Sequence, residues 1–167
     1  MKIRVTWGSG EGDTKKAAFD MALWDAGIAN YNLIELSSVI PEGSDIVVGK
    51  ADMNGRSHEH GHKLYVVLSC KYQESAGGNA VAGVGWMLTK SDYKKGLFVE
   101  ITGEDEDKVR DDILKSLGAM ASYRPEEYGE PAMKVTSSTC NGRISCSLVA
   151  AVYKSEGWGS SAASEAV

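Results

Sequence analysis

The sequence predicts an α+β domain in which helices pack on antiparallel sheet. Apolar and polar residues alternate in about six short segments, which is typical of half-buried strands, and two longer segments carry the stripe of an amphipathic helix. Hydrophobic residues make up 43% of the 167 residues, which is enough for a core. No internal repeat is visible. We therefore expect one domain over residues 1–156, followed by a small, polar and disordered tail at residues 157–167.

The N-terminal segment predicts a strand, a glycine loop and a helix. Residues 3–7 alternate in polarity, as a half-buried strand does. The glycines of residues 8–12 favour a flexible loop, and a phosphate-binding loop is disfavoured because the segment is acidic and lacks the Gly-Lys-Ser/Thr ending. Asp13 or Thr14 is expected to cap the helix and Gly27 to end it. The apolar stripe of this helix is Phe19, Ala22, Leu23 and Ala26.

The remaining elements follow from turn signals and apolar runs. A capping box at residues 102–105 predicts a second helix, and Asn141-Gly142 predicts a hairpin over residues 134–153. Residues 49–63 are polar and are expected to form a loop. The other predicted strands are residues 31–36, 64–71, 80–89 and 97–102.

Composition limits the classes of partner. The formal net charge is −5, from 18 basic and 23 acidic residues, which suits a cationic substrate better than nucleic acid. No apolar run reaches the roughly 18 residues that span a bilayer, and the first residues lack the form of a signal peptide. We therefore expect neither nucleic acid nor a membrane as partner. Three cysteines cannot all pair, which favours a reducing cytoplasm: Cys70, Cys140 and Cys146.

The serine pair Ser37-Ser38 is a candidate for self-cleavage. The Ser38 hydroxyl can attack the carbonyl carbon of the preceding residue, Ser37, and this addition needs a fixed donor for the resulting oxyanion. Asn32 carries such an amide, at an even spacing from Ser38 on the predicted strand. Serine pairs are common, however, and this chain has two others, at residues 137–138 and 160–161. From the residues alone, an ordinary strand end is favoured.

The segment of residues 8–48 favours self-cleavage over an ordinary strand end. It reads GSGEGDTKKAAFDMALWDAGIANYNLIELSSVIPEGSDIVV, and it closely resembles the pyruvoyl-dependent arginine decarboxylases. The resemblance implies cleavage into a β chain of residues 1–37 and an α chain of residues 38–167, with Asn32 assisting. Ser38 would become a covalent pyruvoyl group, the cofactor, which forms a Schiff base with L-arginine and releases CO2 and agmatine, a possible polyamine precursor.

The resemblance also implies an architecture and an assembly. The fold would be a four-layer αββα sandwich, with two antiparallel sheets between flanking helices. The protein would form trimers, or dimers of trimers, with active sites between subunits.

Three further residues acquire roles through the resemblance. Glu100, in a Gly-Leu-x-x-Glu setting, corresponds to the family's proton donor, although the pattern alone favours a surface glutamate. Asp20 corresponds to the residue that holds the guanidinium of arginine, and Leu23 to an apolar contact. A carboxylate can bind a guanidinium through two parallel hydrogen bonds, but a lone aspartate is more often a solvated helix residue.

Two alternatives remain open at this level. His58, His60 and His62 alternate and would face one way in a strand, where they could hold a metal, but a polar loop without metal is favoured. The chain could also decarboxylate another basic amino acid, or be an unprocessed, non-catalytic trimeric homologue.

Overall fold

The computed structural model describes residues 1–159. It contains two α-helices, a short 3-10 turn at Ser57–Glu59 and nine strands. In chain order the helices and strands are β1 (Lys2–Gly12), α1 (Lys15–Ala26), β2 (Asn32–Glu35), β3 (Val39–Ile40), β4 (Asp45–Val48), β5 (Lys63–Gln73), β6 (Asn79–Leu88), β7 (Gly96–Gly103), α2 (Glu106–Ser122), β8 (Ala132–Thr139) and β9 (Ile144–Glu156).

The elements form four layers. A five-stranded sheet has the order β2-β5-β9-β1-β4, and a four-stranded sheet has the order β3-β7-β6-β8. Buried residues of the two sheets, among them Val5, Val84 and Phe98, pack together in a central core. Helix α1 covers the other face of the five-stranded sheet, and α2 covers the other face of the four-stranded sheet. The predicted αββα sandwich is confirmed.

The predicted glycine loop is wrong, because β1 continues through it to Gly12. Gly8, Gly10 and Gly12 lie directly under α1. A Cβ atom at Gly8 would lie 2.1 Å from the carbonyl oxygen of Ala22, and one at Gly10 would lie 2.5 Å from that of Ala18. These glycines therefore allow the helix backbone to approach the strand closely. From the sequence alone, the same glycines had predicted a flexible loop.

The predicted hairpin over residues 134–153 is also wrong. The turn at Asn141-Gly142 is present, and Gly142 has a φ of 98°, but β8 and β9 lie in different sheets. Strand β8 pairs with β6, whereas β9 lies between β1 and β5. The turn therefore carries the chain from one sheet to the other, since long-range pairing outweighs the local hairpin signal.

Helix α1 begins and ends at its predicted residues, but the predicted capping box at residues 102–105 is wrong, because Thr102 and Gly103 belong to β7 and α2 begins at Glu106. The Thr14 hydroxyl accepts a hydrogen bond from the Ala17 N–H and caps α1, which ends at Gly27 in a left-handed conformation. Asp105 caps α2 in the same way. Within residues 1–159, neither helix is long and apolar enough to cross a membrane.

The predicted tail begins inside the described part of the chain. The Trp158 indole N–H donates to the Gly61 carbonyl at 2.9 Å. The rest of that tail, residues 160–167, lies outside the described residues.

Candidate active site

The serine pair lies in the connection between the two sheets. Strand β2 ends at Glu35 on the edge of the five-stranded sheet, and β3 begins at Val39 on the edge of the four-stranded sheet. Ser37 is exposed and Ser38 is half-buried. The pair is therefore accessible, yet it is held between two ordered strands.

The Glu100 carboxylate accepts a hydrogen bond from the Ser38 hydroxyl. The distances from Ser38 Oγ to the two carboxylate oxygens are 2.6 and 2.8 Å. Glu100 lies on β7, two residues from the fully buried Phe98, and alternation along the strand places both side chains on the face toward the central core. A carboxylate in contact with a hydroxyl can accept its proton.

The backbone around the serine pair holds the peptide bond that would be cut. The Val39 N–H donates to the Ser37 carbonyl at 2.8 Å, closing a three-residue turn around Ser38. The Phe98 N–H donates to the Ser38 carbonyl at 2.9 Å. The Ser37 carbonyl therefore already has a hydrogen-bond donor at the atom where negative charge develops when Ser38 adds to it. We call Ser37, Ser38, Val39 and Glu100 the Ser38 cluster.

Asn32 is placed differently from its predicted position. Its side-chain amide donates to the Gly61 carbonyl, on the edge of the five-stranded sheet. The even spacing from Ser38 carries no information about a shared face, because β2 stops at Glu35 and the alternation stops with it.

Asp20 and Leu23 lie together on α1. Leu23 is buried against the five-stranded sheet, whereas Asp20 is exposed. Both line an open cavity of about 490 Å³, which we call the α1 cavity, together with Thr14, Lys16, Ala17, Phe19 and Tyr31. A carboxylate beside apolar and aromatic side chains suits a ligand with a flat, positively charged end.

Within one chain, the α1 cavity and the Ser38 cluster are separate. Helix α1 packs on the outer face of the five-stranded sheet, while Glu100 lies on β7 of the other sheet. None of the residues that line the α1 cavity belongs to the Ser38 cluster. The structure thus brings Ser38 and Glu100 together, but it brings neither to Asp20.

The three histidines do not form a strand. His58 lies in the 3-10 turn and His60 follows it, so the alternation that would align them is absent. Among the described residues no group of three or more His, Cys, Asp or Glu side chains is arranged to hold a metal ion.

Tyr153 belongs to this region, although sequence reasoning missed it. Its hydroxyl donates to the Val39 carbonyl at 2.8 Å. Burial, and then the nearby Glu100 carboxylate, raise the pKa of Tyr153 to about 12. No local motif marks this tyrosine; the signal is an irregularity in strand pairing, which appears only in the folded chain.

The arrangement fits the precursor of a pyruvoyl group. Such a group needs a serine whose hydroxyl can reach the preceding carbonyl, a proton acceptor for that hydroxyl and a donor for the carbonyl oxygen. Ser38, Glu100 and the Val39 N–H meet these three requirements. The fold and this cluster define a four-layer sandwich protein in which a serine hydroxyl contacts a carboxylate beside a hydrogen-bonded carbonyl.

Comparison with known proteins agrees with this class. The family model for pyruvoyl-dependent arginine decarboxylase matches residues 2–157. A curated protein of that name from Halobacterium salinarum is 36% identical over 154 residues, 91% of this chain and 93% of the relative. Another from Methanothermobacter thermautotrophicus is 33% identical over 155 residues, 92% and 96% of the two chains. The chain belongs to the pyruvoyl-dependent arginine decarboxylase family.

Proposed function

We propose that this protein cleaves itself between Ser37 and Ser38 and then decarboxylates L-arginine to agmatine and CO2. The observation that carries the proposal is the contact of Ser38 Oγ with both oxygens of Glu100, at 2.6 and 2.8 Å, beside a carbonyl that already accepts an N–H. Membership of the family supports the choice of substrate.

Cleavage would begin with groups of the Ser38 cluster. Ser38 Oγ gives its proton to Glu100 and bonds to the Ser37 carbonyl carbon, and the oxyanion accepts the Val39 N–H. The C–N bond then breaks and the Ser38 nitrogen takes up a proton, which leaves an ester. Elimination removes the Cα proton of Ser38 and breaks its Cβ–Oγ bond, which frees residues 1–37 as an acid and leaves dehydroalanine at residue 38. Hydrolysis of this dehydroalanine by one water molecule releases ammonia and leaves the pyruvoyl group.

The roles of the side chains in decarboxylation follow from their chemistry. The pyruvoyl ketone supplies an electron sink for the loss of CO2. Glu100, freed from the Ser38 hydroxyl, would return a proton to the former α-carbon of the substrate. Asp20 would hold the guanidinium and Leu23 its aliphatic chain. Asn32 would assist cleavage, for which its amide would have to turn from Gly61 toward the scissile peptide.

A complete site would take residues from two chains. Asp20 and Glu100 lie in different layers of one chain, so a neighbouring chain has to bring its α1 cavity to the Ser38 cluster. A trimer, or a dimer of trimers, would do this with identical interfaces. We also propose a cytoplasmic location, which is consistent with three cysteines that are free thiols.

The experiment is an assay of the purified, full-length protein on three substrates. L-arginine should release CO2 and agmatine, while L-lysine and L-ornithine, which lack a planar guanidinium, should react poorly at the same concentration. A denaturing gel should show two fragments. Equal turnover of L-lysine would contradict the guanidinium assignment, and a single full-length band without activity would support the non-catalytic homologue.

A further inference from the structure

We propose that Tyr153 is a positioning residue for self-cleavage, which it promotes by fixing Val39 so that the Val39 N–H stays on the scissile carbonyl. The inference rests on the proposed self-cleavage, and it adds a residue that neither the sequence motifs nor the family resemblance indicated.

Two hydrogen bonds connect the tyrosine to the scissile peptide bond. The Tyr153 hydroxyl donates to the Val39 carbonyl at 2.8 Å, and the Val39 N–H donates to the Ser37 carbonyl at 2.8 Å. Val39 is exposed and begins an edge strand of two residues, which pairs with β7. The Tyr153 hydroxyl adds a second restraint to the residue whose N–H donates to the Ser37 carbonyl.

The alternation of β9 turns the tyrosine toward the central core, on the same face as Val149 and Ala151. Strand β5 pairs Tyr65 with Lys154 and Val66 with Val152, so Tyr153 has no partner on β5. The unpaired residue marks a bulge in β9, and such bulges are frequent beside active sites. Without the bulge, regular pairing would give Tyr153 a neighbour on β5.

Phe98 contacts both the ring of Tyr153 and the backbone of Ser38. The tyrosine ring packs edge-on against Phe98 with the ring centroids 6.2 Å apart, and the Phe98 N–H donates to the Ser38 carbonyl at 2.9 Å. The hydroxyl thus has a defined position relative to the serine. Because the pKa of Tyr153 is raised to about 12, the hydroxyl stays protonated and remains a donor throughout the neutral pH range.

The chemistry gives this arrangement a specific consequence. When Ser38 Oγ adds to the Ser37 carbonyl, negative charge gathers on the Ser37 oxygen, and the Val39 N–H must be aligned with it at that moment. Loss of the Tyr153 hydroxyl would lower the fraction of chains with this alignment. It would slow the addition step without changing its proton acceptor, Glu100.

The test compares Tyr153→Phe with Tyr65→Phe, which removes a hydroxyl that faces Glu156 at 3.4 Å. Full-length chains are synthesised in a cell-free system, and the uncleaved fraction is followed over time. We expect Tyr153→Phe to cleave roughly 3- to 10-fold more slowly, as for the loss of one hydrogen bond in the transition state. Tyr65→Phe is expected to cleave at the wild-type rate, and the ratio of wild-type to Tyr153→Phe rates should stay constant across neutral pH.

A second variant separates positioning from general stability. Val39→Pro removes the N–H, at the first residue of an edge strand, where proline is tolerated. If Tyr153 acts through that N–H, adding Tyr153→Phe to Val39→Pro should slow cleavage no further. Melting temperatures measured in a Ser38→Ala background, where no chain cleaves, should fall equally for the two tyrosine variants.

Three outcomes would overturn the inference: wild-type cleavage by Tyr153→Phe, equal slowing by Tyr65→Phe, or full additivity with Val39→Pro. The proposed function fails separately, if the wild-type chain itself does not cleave.

Discussion

The Ser38 cluster and the α1 cavity differ in how much of their chemistry one chain supplies. In the cluster, the Ser38 hydroxyl contacts its proton acceptor, Glu100, and the Val39 N–H donates to the Ser37 carbonyl. In the α1 cavity, an exposed carboxylate and apolar walls face open space, on the far side of the five-stranded sheet. Under the proposed function, cleavage would therefore be a reaction within one chain, whereas substrate turnover would need a second chain.

The physical reason for the difference lies in the layers. A β-strand connection that passes from one sheet to the other can place its atoms against the inner face, where β7 carries Glu100. A helix that covers an outer face presents its polar residues away from the core. Variants in the two regions should therefore separate cleavage from substrate binding.

The largest effect is expected from Ser38→Ala. This variant loses the nucleophile, so cleavage and decarboxylation should both be abolished, as measured on a denaturing gel and by CO2 release. Ser37→Ala is the matched control, because it keeps the scissile carbonyl and should still cleave. Cleavage of Ser38→Ala after residue 37 would refute attack by the hydroxyl.

Glu100→Gln should have the next largest effect. The amide keeps the shape of the side chain but is a far weaker proton acceptor than a carboxylate, so cleavage should slow roughly 10²- to 10⁴-fold. The uncleaved fraction is followed in newly synthesised chains. Cleavage at the wild-type rate would show that the contact at 2.6 Å is structural only.

Asp20→Ala should affect binding and leave cleavage intact. Loss of a hydrogen-bonded charge is expected to raise the KM for L-arginine about 10- to 100-fold, measured by initial rates, with both fragments present on a gel. Asp111→Ala, at an exposed aspartate of α2, is the control and should leave the KM unchanged. An unchanged KM in Asp20→Ala would mean that the guanidinium binds elsewhere.

Co-expression of Ser38→Ala and Asp20→Ala chains tests whether one active site takes residues from two chains. Ser38→Ala chains keep Asp20, and Asp20→Ala chains keep Ser38, so shared sites between them would be complete. Co-expression should restore part of the wild-type activity at low arginine, above the sum of the two separate variants. If activity is merely the sum, each site is built from a single chain.

The smallest effects are expected at the helix caps. Thr14→Ala and Asp105→Ala each remove one acceptor for a helix N–H, and each should lower the free energy of unfolding by about 1 kcal/mol. Neither cap touches the Ser38 cluster, so both variants should cleave at the wild-type rate. The check is denaturant unfolding in a Ser38→Ala background. Slower cleavage in either variant would connect a helix to the cleavage reaction.

The sequence predicted the features that depend on local chemistry. Thr14 as a cap and Gly27 as a helix end follow from backbone geometry alone. Ser38 stood out because its hydroxyl lies next to a carbonyl, but the resemblance was needed to pair it with Glu100, 62 residues away. Such a pairing depends on which strands become neighbours, and periodicity does not report this.

The features that sequence reasoning missed are all set by long-range packing. The glycines of β1 are used for close approach to α1, although locally they indicate a loop. The turn at Asn141-Gly142 connects two sheets, although locally it indicates a hairpin. Tyr153 reaches Val39 because β9 and β3 belong to the two sheets that face each other across the central core.

The most direct test of the account is the intact mass of freshly purified wild-type protein. We expect a fragment of residues 1–37 and a fragment of residues 38–167 that is lighter, by one ammonia, than simple hydrolysis would give. An active preparation in which the chain is unbroken, or in which residue 38 is an ordinary serine, would contradict the account.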